Sequence, residues 1–395
     1  MTRLGNITKV LAGQAAPTDF SSEGTPFIRA GHLEELIFDR NINLLPKISH
    51  DVAKKEKLKL LPAGSILFAK SGMSATKNRV YITPVASYFV SHLAAILPSE
   101  NFNTSYLAYY LKWFKPSNLI IDEAYPSIRL SEISDLRIPL PSIAEQKKIA
   151  AILDAADSLR QKDQQLVERY NALSQSLFLE MFGDLVTNPM AWECKSLQSL
   201  TSKIGSGSTP RGGKEAYFEE GISLIRSLNI HDNEFLMKNL AFIDDKQADE
   251  LSNVTVEEKD VLLNITGASV CRCAIVPTEI LPARVNQHVS ILRCDTGLAN
   301  PYYLLYLIIS AQFKQKLMNI AGANGATREA LTKSQLSELA ILTPPISLQN
   351  QFAERIQVIE AQKQQAQRSL EKSEALFNSL LQRAFTGELT SKMAA

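Results

Sequence analysis

The chain of 395 residues carries 42 basic and 41 acidic side chains, which gives a formal net charge of +1. Its length suffices for two or three packed cores, and a charged fraction of 21% is near the globular average, which excludes wholesale disorder. A near-neutral chain lacks the overall basic excess of many DNA-binding proteins, so any contact with nucleic acid must come from local clusters.

No segment of the sequence resembles a membrane span or an export signal. No apolar run reaches the roughly 18 to 20 residues that cross a bilayer, and the opening MTRLGNITKV lacks the apolar core of a signal peptide. We therefore expect a soluble cytoplasmic protein. Its four cysteines fit neither a CxxC redox pair nor a zinc knuckle, so we expect reduced thiols at Cys194, Cys271, Cys273 and Cys294.

The first half of the chain contains short apolar runs that Gly, Pro and Asn interrupt. SILFA at 65–69, RVYIT at 79–83 and AAIL at 94–97 are typical of short strands joined by loops. The stretch 47–79 is also strongly basic, because only Asp51 and Glu56 oppose its basic residues. The basic residues are Lys47, Lys54, Lys55, Lys57, Lys59, Lys70, Lys77 and Arg79. Such a cluster favours an anionic partner.

A short helix rich in Tyr and Leu is predicted at 105–111, and Pro139 and Pro141 mark the end of the strand that follows it. A long helix is then predicted over 146–184, with Gly183 as its terminator. Apolar residues recur along this helix at steps of three and four, which is the pattern of a heptad seam. The seam consists of Ile149, Ile152, Ala156, Leu159, Asp163, Leu166, Tyr170, Leu173 and Leu177.

The second half repeats the first. Five weak matches occur in the same order in both halves, and together they indicate an internal duplication. The matches are PFIRAGHL at 26–33 with SLIRSLNI at 223–230, GSILFAKSG at 64–72 with KDVLLNITG at 259–267, AAIL at 94–97 with VSIL at 289–292, SYLAYYL at 105–111 with YYLLYLI at 302–308, and ISDLRIPLPSIAEQ at 133–146 with LSELAILTPPISLQ at 336–349.

A second long helix is predicted over 349–387, with Gly387 as its terminator. Its seam consists of Phe352, Ile356, Ile359, Lys363, Ala366, Leu370, Ser373, Phe377, Leu380 and Ala384. A long helix with a narrow apolar stripe needs a partner, so we expect the two helices to pair, with Asp163 and Lys363 fixing their register. The alternative is that each helix packs on its own globular domain.

Several stretches of the chain, in this order, resemble the specificity subunits of type I restriction–modification systems. They are PLPSIAEQKKIA at 139–150, MFG at 181–183, WECKSL at 192–197, GSGSTPRGG at 205–213, NQHVSILR at 286–293, TPPISLQNQFA at 343–353 and AFTGEL at 384–389. The resemblance covers essentially the whole chain. The first domain departs from it, because it lacks the tryptophan-led opening and has GQAAP at 13–17 where the family has a Gly-Thr-Pro turn. We therefore expect its first strand to be short.

The resemblance implies an α+β fold with two similar mixed α/β target-recognition domains, separated by two long helices that form an antiparallel coiled coil. The implied boundaries are 1–145 and 185–348 for the domains, 146–184 and 349–387 for the helices, and 388–395 for a C-terminal tail. In that family each domain reads one part of a bipartite site in double-stranded DNA, and the coiled coil docks methyltransferase (modification) subunits. The resemblance also implies restriction/translocase subunits as partners, and no membrane.

No motif in the sequence supports catalysis. A methyltransferase needs a glycine-rich loop before a helix, but GSGS at 205–208 precedes Thr209-Pro210 instead. It also needs a DPPY- or NPPF-like tetrapeptide, and TPPI at 343–346 lacks the acidic or amide residue at the first position and the aromatic residue at the last. Asp244, Asp245 and the run 257–259 could hold Mg²⁺ in a nuclease, but they fit a solvated loop and turn better. We expect no catalytic residue, metal or cofactor in this chain. The resemblance implies S-adenosylmethionine, ATP and Mg in the partner subunits.

Loops rich in hydrogen-bonding side chains recur at equivalent places in both halves. Arg and Lys suit guanine, Asn suits adenine, and Lys, Arg, Ser and Thr hold phosphates. The candidate DNA-binding residues of the first half are Arg29, Lys70, Ser71, Thr76, Lys77, Asn78, Arg79 and Arg129. Those of the second half are Thr209, Arg211, Lys214, Arg226, Thr266, Arg272, Asn324 and Arg328. The alternative is a non-catalytic scaffold that joins two protein-binding domains through a coiled coil, and the basic cluster argues against it.

Overall fold

The structure, a computed structural model, describes residues 1–38, 41–185, 187–209, 217–322 and 329–391. The chain divides into two compact units. The first consists of Met1–Leu166 with Ala366–Ala395, and the second of Val167–Gln365. Both boundaries fall inside long helices, so each unit contains one globular domain with mixed helices and strands, together with a part of each long helix. None of the helices that the structure describes combines the length and apolarity needed to span a membrane.

The first globular domain is built on an antiparallel sheet with the strand order β2-β8-β5-β6. Its central strands β5 and β8 are buried along their whole length, which is why their sequences are continuous apolar runs rather than alternating ones. Its strands are β1 Thr2–Arg3, β2 Val10–Ala12, β3 Thr25–Ile28, β4 Lys47–Ile48, β5 Ile66–Ala69, β6 Val80–Ile82, β7 Tyr88–Phe89, β8 Leu93–Ile96 and β9 Arg137–Ile138. Its helices are α1 His32–Phe38, α2 His50–Lys55, α3 Thr104–Phe114 and α4 Leu130–Asp135.

Two apolar clusters cover the two faces of this sheet. Ile66 and Phe68 of β5 pack in the cluster that contains the buried side of α3, including Leu107. Leu67 and Ala69 face the opposite way, because successive side chains of a strand alternate between the faces. The second face packs against the smaller sheet β4-β3-β7, in which β3 and β7 are parallel.

The second globular domain repeats this plan. Its main sheet has the order β11-β20-β17-β18, and its second sheet, β15-β12-β19-β16, again contains a parallel pair, β12 with β19. The strands are β10 Glu193–Ser196, β11 Thr201–Ser206, β12 Ile222–Ile225, β13 Ile230–His231, β14 Glu234–Phe235, β15 Ala241–Ile243, β16 Thr255–Val256, β17 Val261–Asn264, β18 Cys273–Ile275, β19 Ala283–Val285, β20 Val289–Cys294 and β21 Ala340–Thr343. The long helix α5, described below, precedes the domain, and the domain's helices are α6 Leu197–Leu200, α7 Asp245–Glu250, α8 Pro301–Ile309, α9 Ala311–Gly322 and α10 Lys333–Ser337.

The amino-terminal strands of the two domains differ in length. The first domain lacks the tryptophan-led opening of the family, and its first strand is the shorter one, as expected. Strand β1 has two residues paired with β9, whereas β10 has four paired with β21. The GQAAP turn nevertheless keeps the glycine that the fold needs. A Cβ at Gly13 would lie 2.3 Å from the carbonyl oxygen of Phe89, and one at Gly207 would lie 1.8 Å from that of Val285. Both glycines therefore allow the same close approach of two strands.

The long helices both begin and end a few residues earlier than the sequence predicts. Helix α5 spans Ile143–Phe182 and α11 spans Ile346–Phe385, which is 40 residues each, or roughly 60 Å at 1.5 Å per residue. Each begins three residues before the predicted position, 146 or 349, because the preceding prolines end the strand without preventing the first helical turn. The segment after α11 is not wholly irregular, since Glu388–Ser391 form the short helix α12.

The long helices run antiparallel within the first unit. The Asp163 carboxylate accepts a hydrogen bond of 3.2 Å from the Ser369 hydroxyl, and the guanidinium of Arg160 lies 5.6 Å from the ring centroid of Phe377. Residue numbers thus rise along α5 while they fall along α11. In the second unit the Phe178 ring lies 5.5 Å from that of Phe352, and the Phe182 ring 5.3 Å. Lys363, in contrast, pairs with Glu360 of its own helix.

The predicted seam of α5 is only partly correct, because Ile149 and Ala156 are buried as predicted but several of its leucines are not. Leu159, Leu166 and Leu173 are exposed, whereas the buried positions include Leu153 and Phe178. The reason is that α5 packs against its own domain as well as against α11. For example, the buried Asp157 carboxylate accepts from Lys112 of α3. Burial raises the pKa of the Asp157 carboxyl, but the charges and hydrogen bonds of Lys112 and Arg160 lower it by a larger amount. The pKa of Asp157 therefore lies below its usual value.

A buried glutamine joins each long helix to its domain. The Gln146 side-chain oxygen accepts from the Asn103 backbone N–H at 2.9 Å, and its amide donates to the Pro141 carbonyl at 2.9 Å. Gln349 makes the same pair of bonds in the second unit, at 2.9 Å from Asn300 and 2.8 Å to Pro344. Both side chains are at most 1% exposed. The duplicated segment before each long helix thus contains the residue that fixes that helix to its domain.

Replacing Gln349 by Leu should destabilise the protein, because the Asn300 N–H would be buried without an acceptor, at a cost of about 1–3 kcal/mol. Thermal denaturation should show a lower Tm, and hydrogen exchange at the Asn300 amide should become faster. Gln351→Leu is the matched control, since Gln351 is exposed on the same helix. An equal Tm for the two variants would contradict this role of Gln349.

Candidate nucleic-acid interface

Each domain forms the same glycine turn directly after its central strand. Gly72 has a φ of 71° and Gly267 a φ of 73°, a conformation that favours glycine. The preceding hydroxyl bonds to an imidazole in both cases. Ser71 Oγ lies 2.8 Å from His92 Nδ1, and Thr266 Oγ1 lies 2.5 Å from His288 Nδ1. The two halves therefore keep one local structure with different side chains.

Backbone hydrogen bonds bring a second loop against this turn. In the first domain Gly72 N–H donates to the Pro126 carbonyl at 2.9 Å, and Ile128 N–H donates to the Lys70 carbonyl at 2.8 Å. Arg129, which follows Ile128, is exposed at the start of α4. The structure thus places Lys70, Ser71 and Arg129 in neighbouring loops, which their distance in the sequence did not reveal.

The same pairing occurs in the second domain. Gly267 N–H donates to the Glu329 carbonyl at 3.0 Å, and Leu331 N–H donates to the Ile265 carbonyl at 2.8 Å. Glu329 is exposed. It occupies the position that Pro126 occupies in the first domain, so this position carries a carboxylate in the second domain and none in the first.

An arginine ends the turn in both domains, and its partner differs. Asn78 and Cys271, both at positive φ, precede Arg79 and Arg272. Arg79 forms an ion pair with Glu34 at 2.5 Å. The guanidinium of Arg272 lies 3.4 Å from His231 Nε2. The acid thus neutralises the arginine of the first domain, whereas the arginine of the second domain contacts an imidazole.

Of the remaining candidates of the first domain, three are exposed and one has a structural role. Lys77 and Thr76 are exposed, and the Thr76 hydroxyl donates to the Met73 carbonyl at 2.8 Å. Asn78 is a structural residue, since its side-chain oxygen accepts from the Ser117 N–H at 2.8 Å. The guanidinium of the exposed Arg29 lies 5.0 Å from the ring centroid of Phe20. Lys77 and Arg29 therefore present their charges to solvent.

Two candidates of the second domain, Arg226 and Thr209, make hydrogen bonds within the domain. Arg226 donates to the Asn239 carbonyl at 2.6 Å, and its guanidinium lies 5.1 Å from the Tyr217 ring centroid. Thr209 donates to the side chain of Gln287. Arg211, Lys214, Asn324 and Arg328 lie outside the described residues, so their predicted DNA contacts stay predictions.

A cleft of about 580 Å³ lies at the glycine turn of the second domain. Its polar lining comes from four segments of the chain and comprises Ser227, Thr266, Ser269, Arg272, His288 and Glu329. Two of these residues, Thr266 and Arg272, were sequence candidates. Ser227, Ser269, His288 and Glu329 were not. His288 was detectable, because His92 and His288 occupy equivalent positions before β8 and β20.

Two carboxylates at or beside the stretches considered for a nuclease site, Asp244 and Asp260, have structural roles. Asp244 caps α7, accepting from the Gln247 N–H at 2.7 Å. Asp260, next to the run 257–259, is fully buried and accepts from Arg293 at 2.8 Å. Within the described ranges, no group of three or more His, Cys, Asp and Glu side chains is arranged to hold a metal ion. Burial raises the pKa of Cys271 to about 11 and that of Cys294 to about 12, which keeps both thiols protonated near neutral pH.

Comparison with known proteins gives a consistent result. The family model described as "Type I restriction modification DNA specificity domain" matches residues 1–169 and 189–372. The StySPI type I restriction enzyme specificity subunit of Salmonella potsdam is 23% identical, over 94% of this chain and 83% of that protein. The MjaIX specificity subunit of Methanocaldococcus jannaschii is 25% identical, over 78% of this chain and 74% of that protein.

A solved structure shares the fold. The S subunit of a type I restriction–modification system from M. genitalium superposes with a TM-score of 0.61 at 14% identity, covering 97% of this chain and 95% of that one. The duplicated domains, the paired long helices and the matches of both halves to one family model therefore lead to a single assignment: the chain belongs to the family of type I restriction–modification DNA specificity subunits.

Proposed function

We propose that this chain recognises a bipartite site in double-stranded DNA on behalf of type I methyltransferase subunits, with each domain reading one part. The observation that supports this most strongly is the glycine turn, which both domains build with the same backbone and different side chains. A conserved framework with variable side chains is what two readers of different sequences need, because base identity is read by side chains in the grooves.

The charges around the first turn suit DNA. Lys77 and Arg29 are exposed, and Arg129 lies on the loop that pairs with the turn. Lysine and arginine side chains hold phosphates and supply the salt-dependent part of the affinity. A chain with a net charge of +1 can bind DNA through such a local group without an overall basic field. A scaffold for proteins would not need this concentration of cations.

In this proposal the chain does no chemistry. The methyltransferase subunits bind S-adenosylmethionine, and restriction/translocase subunits use ATP and Mg to translocate and cleave DNA. The specificity chain brings these subunits to their site. Such a division of tasks requires a docking surface for the methyltransferase subunits.

The exposed leucines of α5 supply a candidate docking surface. Leu159 and Leu166 are 46% and 39% exposed and lie seven residues apart, so they share one face of the helix. Exposed leucines at heptad spacing are suited to the apolar face of another helix. We assign this face to a methyltransferase subunit, because the family pairs such subunits with the specificity chain.

Exchanging one domain should change one half of the DNA site. Residues 1–140 would be replaced by the first domain of another family member, joined before Pro141, and methylated positions would be mapped in the presence of the methyltransferase subunits. The half read by the second domain should stay the same, because each domain has its own core and its own turn. Altered sequence in both halves, from a folded protein, would contradict independent recognition.

Lys77→Ala should weaken binding to all duplexes about equally and lower the slope of affinity against salt by about one, as expected for one lost phosphate contact. The matched control is Glu34→Gln together with Arg79→Ala, which removes an ion pair of zero net charge. This double variant should leave the salt slope nearly unchanged and cost about 0.2–1 kcal/mol of stability. Binding titrations at several salt concentrations measure both. A larger change in slope for the double variant at Glu34 and Arg79 than for Lys77→Ala would reverse this assignment.

Leu159→Gln with Leu166→Gln should abolish or strongly weaken co-purification with the methyltransferase subunits. Each leucine buried at an interface contributes about 1.5–3 kcal/mol. The Tm of the isolated chain should change little, because both side chains are exposed. Leu44→Gln, at a 70% exposed leucine of the globular domain, is the control. Undiminished co-purification of the double variant would rule out this docking face.

A further inference from the structure

The two domains place an arginine at the same point of the same turn but give it different partners. Glu34 and His231 occupy equivalent positions, each following the equivalent arginines Arg29 and Arg226 by the same interval. Glu34 pairs with Arg79. Among the residues that the structure describes, Arg272 has no acidic partner within ion-pair distance, and its guanidinium contacts His231. The Arg272 charge is therefore available to a ligand in the cleft.

A carboxylate lines the same cleft and limits what the ligand can be. Glu329 is exposed there, and within the described parts of the chain it has no basic partner at ion-pair distance. A phosphate would be attracted by Arg272 but repelled by Glu329, since like charges at close range disfavour each other. A ligand with both acceptors and an amino donor satisfies both side chains. The major-groove edge of a G·C base pair is such a ligand, because guanine offers O6 and N7 and cytosine offers its N4 amino group.

We propose that Arg272 and Glu329 together read one G·C base pair in the half-site of the second domain. Arg272 donates two hydrogen bonds to guanine O6 and N7, and Glu329 accepts one from cytosine N4. This assignment rests on the proposed function, and it goes further by naming the base pair and the two side chains that read it.

The backbone around both residues is held before DNA arrives. The Glu329 carbonyl accepts from Gly267 N–H at 3.0 Å, which ties its loop to the glycine turn. At the other end of the turn, Arg272 N–H donates to the Ser269 carbonyl at 3.2 Å, and its own carbonyl accepts from Asn264 N–H at 2.8 Å. Both side chains therefore leave a fixed frame, which reduces the ordering cost on binding.

The first domain does not carry this pair of readers. Pro126 stands in place of Glu329, and the ion pair with Glu34 engages Arg79. Substitutions of Arg272 or Glu329 should therefore affect one half-site only. This asymmetry separates a specific role of the cleft from a general loss of DNA affinity.

The test is selection of duplexes from a pool with a randomised segment, using the full chain with its methyltransferase subunits. The unaltered chain should enrich a two-part site with a fixed G·C pair in the second half. Arg272→Ala should reduce the preference for that pair by about 5- to 150-fold, the value of one bidentate contact. Arg272→Lys should lose most of the preference too, because lysine keeps the charge without the planar fork. Glu329→Gln should weaken selection at the same base pair.

Controls separate the outcomes. Glu279→Gln, an exposed acid of the second domain outside the cleft, should leave both half-sites unchanged. Equal Tm values verify that the variants fold. If Arg272→Lys keeps full selectivity while Arg272→Ala lowers affinity for all sequences alike, Arg272 holds a phosphate and the inference is overturned. A changed A·T position, or changes in both half-sites, would overturn it as well.

Two results of this selection distinguish an error about the cleft from an error about the proposed function. If the unaltered chain enriches a bipartite site and all three cleft variants enrich the same site, the chain recognises DNA but not through this cleft. If the unaltered chain enriches no sequence, the proposed function itself is wrong.

Discussion

The arrangement of each unit depends on one buried amide. Gln146 and Gln349 each accept from the N-cap backbone of a tyrosine-rich helix and donate to a proline carbonyl just before a long helix. Burying an amide is unfavourable unless its hydrogen bonds are satisfied, so these bonds allow essentially one orientation of the helix start. The domain and its long helix are thereby joined at a fixed point, and the loops of a domain keep a defined position relative to that helix.

Aromatic residues reinforce this joint. Tyr303 donates to the Leu342 carbonyl at 2.6 Å, and Tyr106 donates to that of Pro139 at 2.9 Å. Burial raises the pKa of both hydroxyls, so they stay protonated and remain donors. Both domains use this contact although few of the surrounding residues are identical. Both halves of the duplication have therefore kept the residues that fix each domain to its long helix.

The glycine turns show the opposite behaviour, a constant backbone with changing side chains. A hydroxyl, an imidazole and a glycine at positive φ fix the turn in both domains. The residues around it differ in charge, since Glu34 faces Arg79 where His231 faces Arg272. Rigid support for variable side chains is an economical way for one fold to recognise two different base sequences.

The sequence by itself determined the duplication, the α+β class, the long helices and the family, because these follow from periodicity and from the order of short matches. It determined only in part which face of α5 is buried. The predicted seam includes the buried Ile149 and Ala156 but also the exposed Leu159. Contact with α3, where Lys112 donates to Asp157, accompanies burial of the adjacent stripe that contains Leu153. The sequence also did not predict the cleft. Glu329 and Arg272 lie far apart along the chain, and only the backbone bonds between the two loops bring them to one surface.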